Sequence, residues 1–260
     1  MLEYNPLGGG GNDADAQAFI TAASITDSTQ QSAINTLVTQ LKTYGIWTKM
    51  KALYPFVGGT AFSHKFNLKD PRDLNVAFRL AFIGGGLHDS FGYKPNGTNG
   101  YADTFLTPSV TQTLNSNGLG YYVTSNTANL GNAIQMGANN NTSRSSILSA
   151  NTSAGGRLNG SIINGPISNN SGHFSMQRTS STLTSVYQNN TLIASGNSGG
   201  TLPSFKMFIG TMFNNGSVYT SGFVNCYFRI AYISDGLDST DMTNFYTAVQ
   251  AYQTTLGRNV

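Results

Sequence analysis

Only 10% of the 260 residues are charged, against about a quarter in ordinary globular domains, and the net charge is +3. The Lys and Arg residues are scattered, which argues against nucleic-acid binding, because phosphate contacts need clustered cations. Apolar residues at 39%, with fifteen Phe and thirteen Tyr, supply a core and exclude a disordered chain, while every apolar run is far too short to cross a bilayer.

Residues 1–11 read as a flexible tail. Gly8 to Gly11 form a joint, and Leu2, Tyr4 and Leu7 ahead of it are candidate anchors onto a partner. Residues 12–50 read as helical. A short helix is expected around Asp15 to Ala23. A second follows Asp27, which with Gln30 three residues on resembles a capping box. Ala33, Ile34, Leu37, Val38 and Leu41 then recur at helical spacing and make one apolar stripe, and Gly45 stops the helix. The stripe covers only about two heptads, so it is expected to bury itself on a neighbouring domain and not in a coiled coil.

From residue 51 to 260 the pattern is that of a β-sandwich followed by a helix. "ALYPFVGG" predicts a short strand ending in a glycine turn. "NVAFRLAFI" alternates Val76, Phe78, Leu80 and Phe82, which predicts a half-buried strand. "LGYYVTS", "SSILSA", "GRLNGSI", "SFKMFIG" and "GFVNCYFRIAYIS" predict further strands. "TLTSVYQNNTLIASG" predicts a hairpin about Asn189-Asn190. The last element is a helix capped by Asp238, with Met242, Phe245, Tyr246, Val249, Tyr252 and Leu256 on its apolar face and Gly257 at its end. Strands do not alternate with helices, so an antiparallel sandwich is expected and a doubly wound parallel sheet is not.

Charge concentrates in one place, "FSHKFNLKDPRDLNVAFRL", Phe62 to Leu80. Asp70-Pro71-Arg72-Asp73 reads as a type I turn, since Pro presets φ and Asp bonds backbone amides beyond it. Arg72 and Arg79 are available to pair with Asp70 or Asp73, so the cluster is expected to fix a turn against a sheet. The alternative is a polar surface for a partner subunit.

Four strings are familiar together: "ITDSTQQSAINTLVTQLKTYGIW", "MKALYPFVGGTAFSHKFNLKDPRD", "NGTNGYADTF" and "SDGLDSTDMTNFYTAVQAYQTTLGRNV". The chain resembles bacteriophage virion proteins, of head-fibre, tail-fibre or decoration type, that carry a concanavalin A-like (laminin G-like) jelly-roll sandwich. The resemblance runs from about Ala18 to the C-terminus. It implies a mainly β antiparallel sandwich and a virion setting, with synthesis in the bacterial host cytoplasm. The implied partners are capsid or tail proteins and host-surface glycans, in a homo-oligomer of which a trimer is the common form. The turn in "SVYQNNTLIASG" also looks like the Tyr-x-Asn-Gly turn of such sandwiches, with Asn190 where Gly is usual. The wider family includes lectins, adhesive modules and glycoside hydrolases, so fold does not decide function.

The residues argue for a structural, glycan-binding role over a glycan-cleaving one. Sandwich hydrolases pair Glu residues on one strand as nucleophile and general acid. Here the single glutamate is Glu3, in the tail, and the Asp13/Asp15 pair precedes the sandwich. His64, His88 and His173 lie far apart in sequence without zinc spacing, and no Gly-x-Ser-x-Gly elbow occurs. Cys226 is the only cysteine, so no intrachain disulfide forms. Together with a start, Met1 to Gly11, that lacks a signal-peptide pattern, it points to a reducing compartment. "LHDSFGYKPNGTNGYADTF" is the candidate contact loop. Asp89, Asn96, Asn99 and Asp103 offer oxygen ligands of the kind calcium takes, and Tyr93 and Tyr101 offer flat faces to a sugar ring. No other cofactor is implied. A purely architectural spacer is the remaining alternative.

Overall fold

A computed structural model describes residues 11–124, 133–150 and 152–260. The expected anchors Leu2, Tyr4 and Leu7 lie outside the described residues.

Two helices come first, α1 (Ala14–Ala22) and α2 (Ser28–Thr43). The Asp27 carboxylate caps α2 by accepting from Gln30 N at 2.8 Å. Five strands follow, with a short helix among them: β1 (Met50–Tyr54), α3 (Ala61–His64), β2 (Ala81–Ile83), β3 (Gly86–Asp89), β4 (Gly92–Pro95) and β5 (Tyr101–Asp103). After α4 (Pro108–Thr111) come β6 (Asn117–Val123), β7 (Met136–Asn139), β8 (Arg144–Ala150), β9 (Ser153–Leu158) and β10 (Ile162–Pro166). Then come β11 (Gly172–Arg178), β12 (Thr184–Gln188), β13 (Thr191–Gly196), β14 (Phe208–Ile209), β15 (Met212–Asn214), β16 (Ser217–Val218) and β17 (Phe228–Ser234). The chain ends in α5 (Ser239–Thr255), capped by Asp238, whose carboxylate accepts from Thr240 N and Asp241 N while Asp241 accepts from Asp238 N. That reciprocal pairing satisfies donors a helix start otherwise leaves open.

Among the described residues the strands make two sheets. One has eight strands, in the order β13-β12-β11-β6-β17-β4-β3 with β1 also on β17. The other has nine, in the order β10-β9-β8-β7-β14-β5-β2, with β15 also on β7 and β16 on β15. The pairing is antiparallel apart from β15 on β7, which is parallel. This is the mainly β sandwich with N-terminal and C-terminal helices that the sequence predicts.

The period of two along each strand separates two cores. In β6 and β17, Leu119, Tyr121, Val123, Phe228, Ala231 and Ile233 point between the sheets, where they meet Met136, Ile147 and Leu158 of the second sheet. Their alternates Tyr122, Ile230 and Tyr232 point outward, and α1, α2 and α5 cover them. The α2 stripe is wholly buried there, as is the α5 face Met242, Phe245, Val249 and Tyr252. The central strands β6 and β17 are therefore dry on both faces, and Lys49 Nζ locks the helical layer by pairing with Asp241 at 2.5 Å.

Several expectations are corrected. Residues 75–80 are not a strand: Asn75–Ala77 is a 3-10 turn, Phe78 is left-handed (φ 59°), and only Ala81–Ile83 pairs. The cause is Asn67, buried nearby, whose amide donates to Ala77 O at 3.0 Å and accepts from Leu53 N at 2.9 Å. It gives that backbone partners outside a ladder, so the apolar alternation has no sheet to join. "SFKMFIG" contributes only Phe208–Ile209. "GRLNGSI" is not one strand but the end of β9, a turn with Asn159 left-handed (φ 78°), and the first residue of β10. In the β12–β13 hairpin Asn189, and not Asn190, takes the left-handed conformation, φ 53°. The charged stretch pairs within itself, as expected: Arg72 with Asp70 at 2.5 Å, Lys65 with Asp73 at 2.6 Å and Arg79 with Asp73 at 3.4 Å.

Candidate functional site

The expected contact loop is mostly strand. Of its six residues, Asp89 and Tyr93 lie on β3 and β4 of the eight-stranded sheet, Tyr101 and Asp103 on β5 of the other, and Asn96 and Asn99 in the turn that joins β4 to β5. Tyr93 is fully buried, stacked on His88 with ring centroids 4.8 Å apart, so it offers no face to a ligand. Asp103 is buried too, paired with Lys206, and accepts from Phe105 N at 2.8 Å. Asp89 accepts from Tyr227 Oη at 2.6 Å and Phe91 N at 2.7 Å. Asn96 Oδ1 accepts from Thr98, Asn99 and Gly100 N, and the Asn96 amide donates to Asn99 Oδ1 at 2.7 Å. Tyr101 stacks on Phe208 at 4.7 Å. These side chains build turns and core, which is the usual use of Asn and Asp in Gly-rich connections. No group of three His, Cys, Asp or Glu side chains gathers among the described residues.

The structure instead forms a cavity of about 540 Å³ on the nine-stranded sheet, within the roughly 300–1,000 Å³ of small-ligand sites. Three segments enclose it: 139–144 at the β7–β8 turn, 157–161 at the β9–β10 turn, and 198–200 after β13. Close backbone approach shapes it. A Cβ on Gly160 would stand 1.8 Å from Ser198 O, and one on Gly200 (φ +80°) would stand 1.9 Å from Asn159 O. Only glycine lets these two turns touch. The fixed pieces are tied from below. Ser198 Oγ donates to Leu158 O at 2.5 Å, Arg178 Nη1 donates to Ser198 Oγ at 2.9 Å, and Asn159 Oδ1 accepts from Ser145 Oγ at 3.2 Å.

Strand register sets the two cations of the wall. On β8, Ile147 points into the core, so Arg144 and Ser146 point outward. On β9, Ala154 and Leu158 point inward, so Arg157 points outward. Arg157 pairs with Ser146, which puts Arg144 one diagonal away, about 7–8 Å between Cα atoms. Arg144 Nε donates to Ser146 Oγ at 2.7 Å, and Arg157 Nη1 donates to Gly160 O at 2.9 Å. Neither takes part in an ion pair among the described residues. Partial burial, and then the neighbouring Arg157, hold the Arg144 guanidinium below its ordinary pKa. Both groups stay charged, as arginine does throughout the working range of proteins. The other lining groups are the Asn139 and Asn141 amides, the Thr142, Ser143 and Ser161 hydroxyls, and backbone. Such a wall can hold oxygen-rich ligands by hydrogen bonds. Among the described residues it presents no carboxylate, imidazole or thiol for acid–base or nucleophilic chemistry.

Sequence analysis missed this site because its residues come from three turns with no motif of their own. One signal was available: from Thr104 to Ser234 the chain carries no Asp or Glu, yet it carries Arg144, Arg157, Arg178, Lys206 and Arg229. It also missed that His64 and His88, far apart in sequence, meet Nδ1 to Nδ1 at 3.0 Å. Burial holds His64 down to about 3 and His88 to about 4. His64 is enclosed by Phe56 and the sandwich end, so the pair is a packed core element.

No protein-family model and no curated protein matches this sequence. Solved structures share its fold. One is the binding domain of botulinum neurotoxin DC in complex with rat synaptotagmin II, with 12% identity and a TM-score of 0.54 over 79% of this chain and 53% of that one. Another is the botulinum neurotoxin serotype D binding domain, with 6% identity and a TM-score of 0.54 over 78% of this chain and 52% of that one. The chain thus spans about half the length of these structures. At such identities the likeness is one of fold.

Proposed function

We propose that this chain is a non-enzymatic, glycan-binding sandwich module of a tailed bacteriophage particle, a head-fibre, tail-fibre or decoration protein. The observation that carries the binding role is the cavity between the 139–144, 157–161 and 198–200 segments. Its amide, hydroxyl and guanidinium lining matches the hydroxyl-rich surface of sugars, and it lacks the paired carboxylates that glycoside hydrolysis uses. The solved domains of similar fold are binding domains by name, which agrees with a sandwich used for attachment. The virion setting rests on the sequence strings that resemble phage proteins. Repeated copies on a particle turn weak single-site contacts into avidity.

A glycan array probed with the protein in multivalent display tests the binding role. Retention on defined glycans, reduced by Gly200→Ala, is the expected result, and silence across the array overturns it. Release of new reducing ends from a bound polysaccharide would replace the binding role with a cleaving one. Mass spectrometry of purified particles, finding this chain among their proteins or not, decides the virion setting.

A further inference from the structure

We infer that the cavity selects acidic glycans, binding the anionic substituent of a sugar, a carboxylate or a sulfate ester, between Arg144 and Arg157. This deepens the glycan-binding function proposed above and depends on it.

Three observations converge. The first is uncompensated charge. Arg144 and Arg157 face one cavity, no carboxylate of the described residues lines it, and none occurs in sequence between Asp103 and Asp235. Acidic groups beyond about 8 Å are largely screened at physiological salt, so more distant Asp residues do not neutralise the pair. Among the other cations, Lys69, Arg178 and Arg229 also have no ion pair among the described residues but donate inside the protein, to Trp47 O, to Ser198 Oγ and Ser181 O, and to Arg258 O, and Lys94 lies over the Tyr227 ring. Lys42, Lys49, Lys51, Lys65, Arg72, Arg79 and Lys206 each meet an Asp. The buried Arg258 is enclosed by its own protein, donating to Phe56 O at 2.8 Å and to Pro55 O at 3.3 Å.

The second is donor geometry. Each guanidinium has five N–H donors in a planar fork. Among the described residues one hydrogen bond apiece, to Ser146 Oγ and to Gly160 O, orients the forks and leaves donors for a ligand. Two such forks on neighbouring strands suit a planar carboxylate or a sulfate, which guanidinium binds bidentately.

The third is what the wall lacks. Among the described residues no aromatic ring lines the cavity, so a neutral sugar would find no stacking face there and would exchange water hydrogen bonds for protein ones at little net gain. Charge-assisted bonds are roughly twice as strong as neutral ones. They are the contact here able to supply a surplus.

The probes are polygalacturonate, its carboxyl-reduced neutral form, dextran sulfate and unmodified dextran, each titrated by biolayer interferometry on the intact, multivalently displayed protein. Binding of polygalacturonate or dextran sulfate about tenfold or more above its neutral counterpart is expected. The preferred member of the two identifies carboxylate or sulfate as the source of the anion. Arg144→Gln and Arg157→Gln should remove that preference. Asn141→Asp guards against folding defects. Asn141 is exposed with φ +68°, a conformation Asp also tolerates, so the variant should fold normally yet repel the acidic probes. Lys94→Gln, on the other sheet, should leave the preference intact. If acidic and neutral probes bind alike, the anion inference fails while glycan binding stands. If no probe binds here and the array is silent, both fail. If Lys94→Gln reduces binding as much as the Arg variants do, the effect is diffuse charge, and the assignment to this cavity is overturned.

Discussion

The outer faces of the two sheets start from the same strand geometry and end in opposite conditions. On the eight-stranded sheet the outward residues are Tyr122, Tyr187, Ile230 and Tyr232, and helices α1, α2 and α5 seal them from water. On the nine-stranded sheet the outward residues of β8 and β9 include Arg144, Ser146 and Arg157, and among the described residues no helix packs on them. Large apolar side chains demand a cover, because each buried one contributes about 1.5–3 kcal/mol. Short polar ones do not, and they leave a face free for a ligand. The two faces also treat these arginines differently: Arg258, under the covered side, gives its donors to Gln253 Oε1 and to the carbonyls of Pro55, Phe56 and Arg229, whereas Arg144 and Arg157 each give one to Ser146 Oγ or Gly160 O among the described residues. The proposed binding site thus lies on a different sheet from the face that the helices cover.

Acid should separate the two faces most. His64, His88 and His173 all belong to the eight-stranded side, and burial holds them near 3, 4 and 4, below the ordinary 6.5. The unfolded chain therefore binds protons first. The stability from neutral, buried histidine is complete above about pH 6.5 and declines as pH falls toward 4. The two most buried, His64 and His173, each lose about 1.4 kcal/mol per pH unit, so on the order of 5 kcal/mol is lost together by pH 4.5. Urea midpoints from pH 7.5 to 4.5 should fall accordingly, and a flat profile would refute the burial of these rings. The arginine wall does not titrate in this range, so ligand affinity per folded molecule should hold until unfolding begins.

Truncation sharpens the same contrast. Phe245, fully buried between α5 and Tyr232 with ring centroids 4.4 Å apart, anchors the covered face. Phe245→Ala should cost about 3–5 kcal/mol, whereas Arg157→Gln on the open face should cost under about 1 kcal/mol; equal losses in chemical denaturation would erase the distinction. Gly200→Ala should fall between, at about 2 kcal/mol or more, because the new methyl meets Asn159 O and the left-handed backbone disfavours it. Its signature is loss of glycan binding out of proportion to the loss of stability. Asp238→Ala removes the α5 cap and should cost about 1 kcal/mol, read as a lowered melting temperature. The smallest effect belongs to the charged stretch. Asp73→Asn breaks exposed pairs with Lys65 and Arg79, and a change under about 1 kcal/mol that disappears in high salt is expected.

Local pattern was a good guide wherever one element answers to one neighbour. The α2 and α5 stripes, the Asp27 and Asp238 caps, and strands β6, β12, β13 and β17 were all legible, because helix period, cap chemistry and strand alternation are properties of consecutive residues. The segment 75–83 misled, since alternating Val76, Phe78, Leu80 and Phe82 describes a strand only if a ladder exists to receive it, and Asn67 diverts that backbone. Tyr93 looked like a stacking platform from its Gly- and Asn-rich surroundings, but its side of β4 faces the core.

The order of amino acids alone determined that this chain folds as a sandwich of short strands with an amphipathic helix near each end, since apolar spacing, turn residues and caps act over a few neighbours. Tertiary structure alone decided which face stays open and that Arg144, Arg157 and the 198–200 turn share one cavity. Those groups come together through strand register and the backbone contact of Gly160 and Gly200 with the facing turns, both long-range relations that spacing along the chain does not encode.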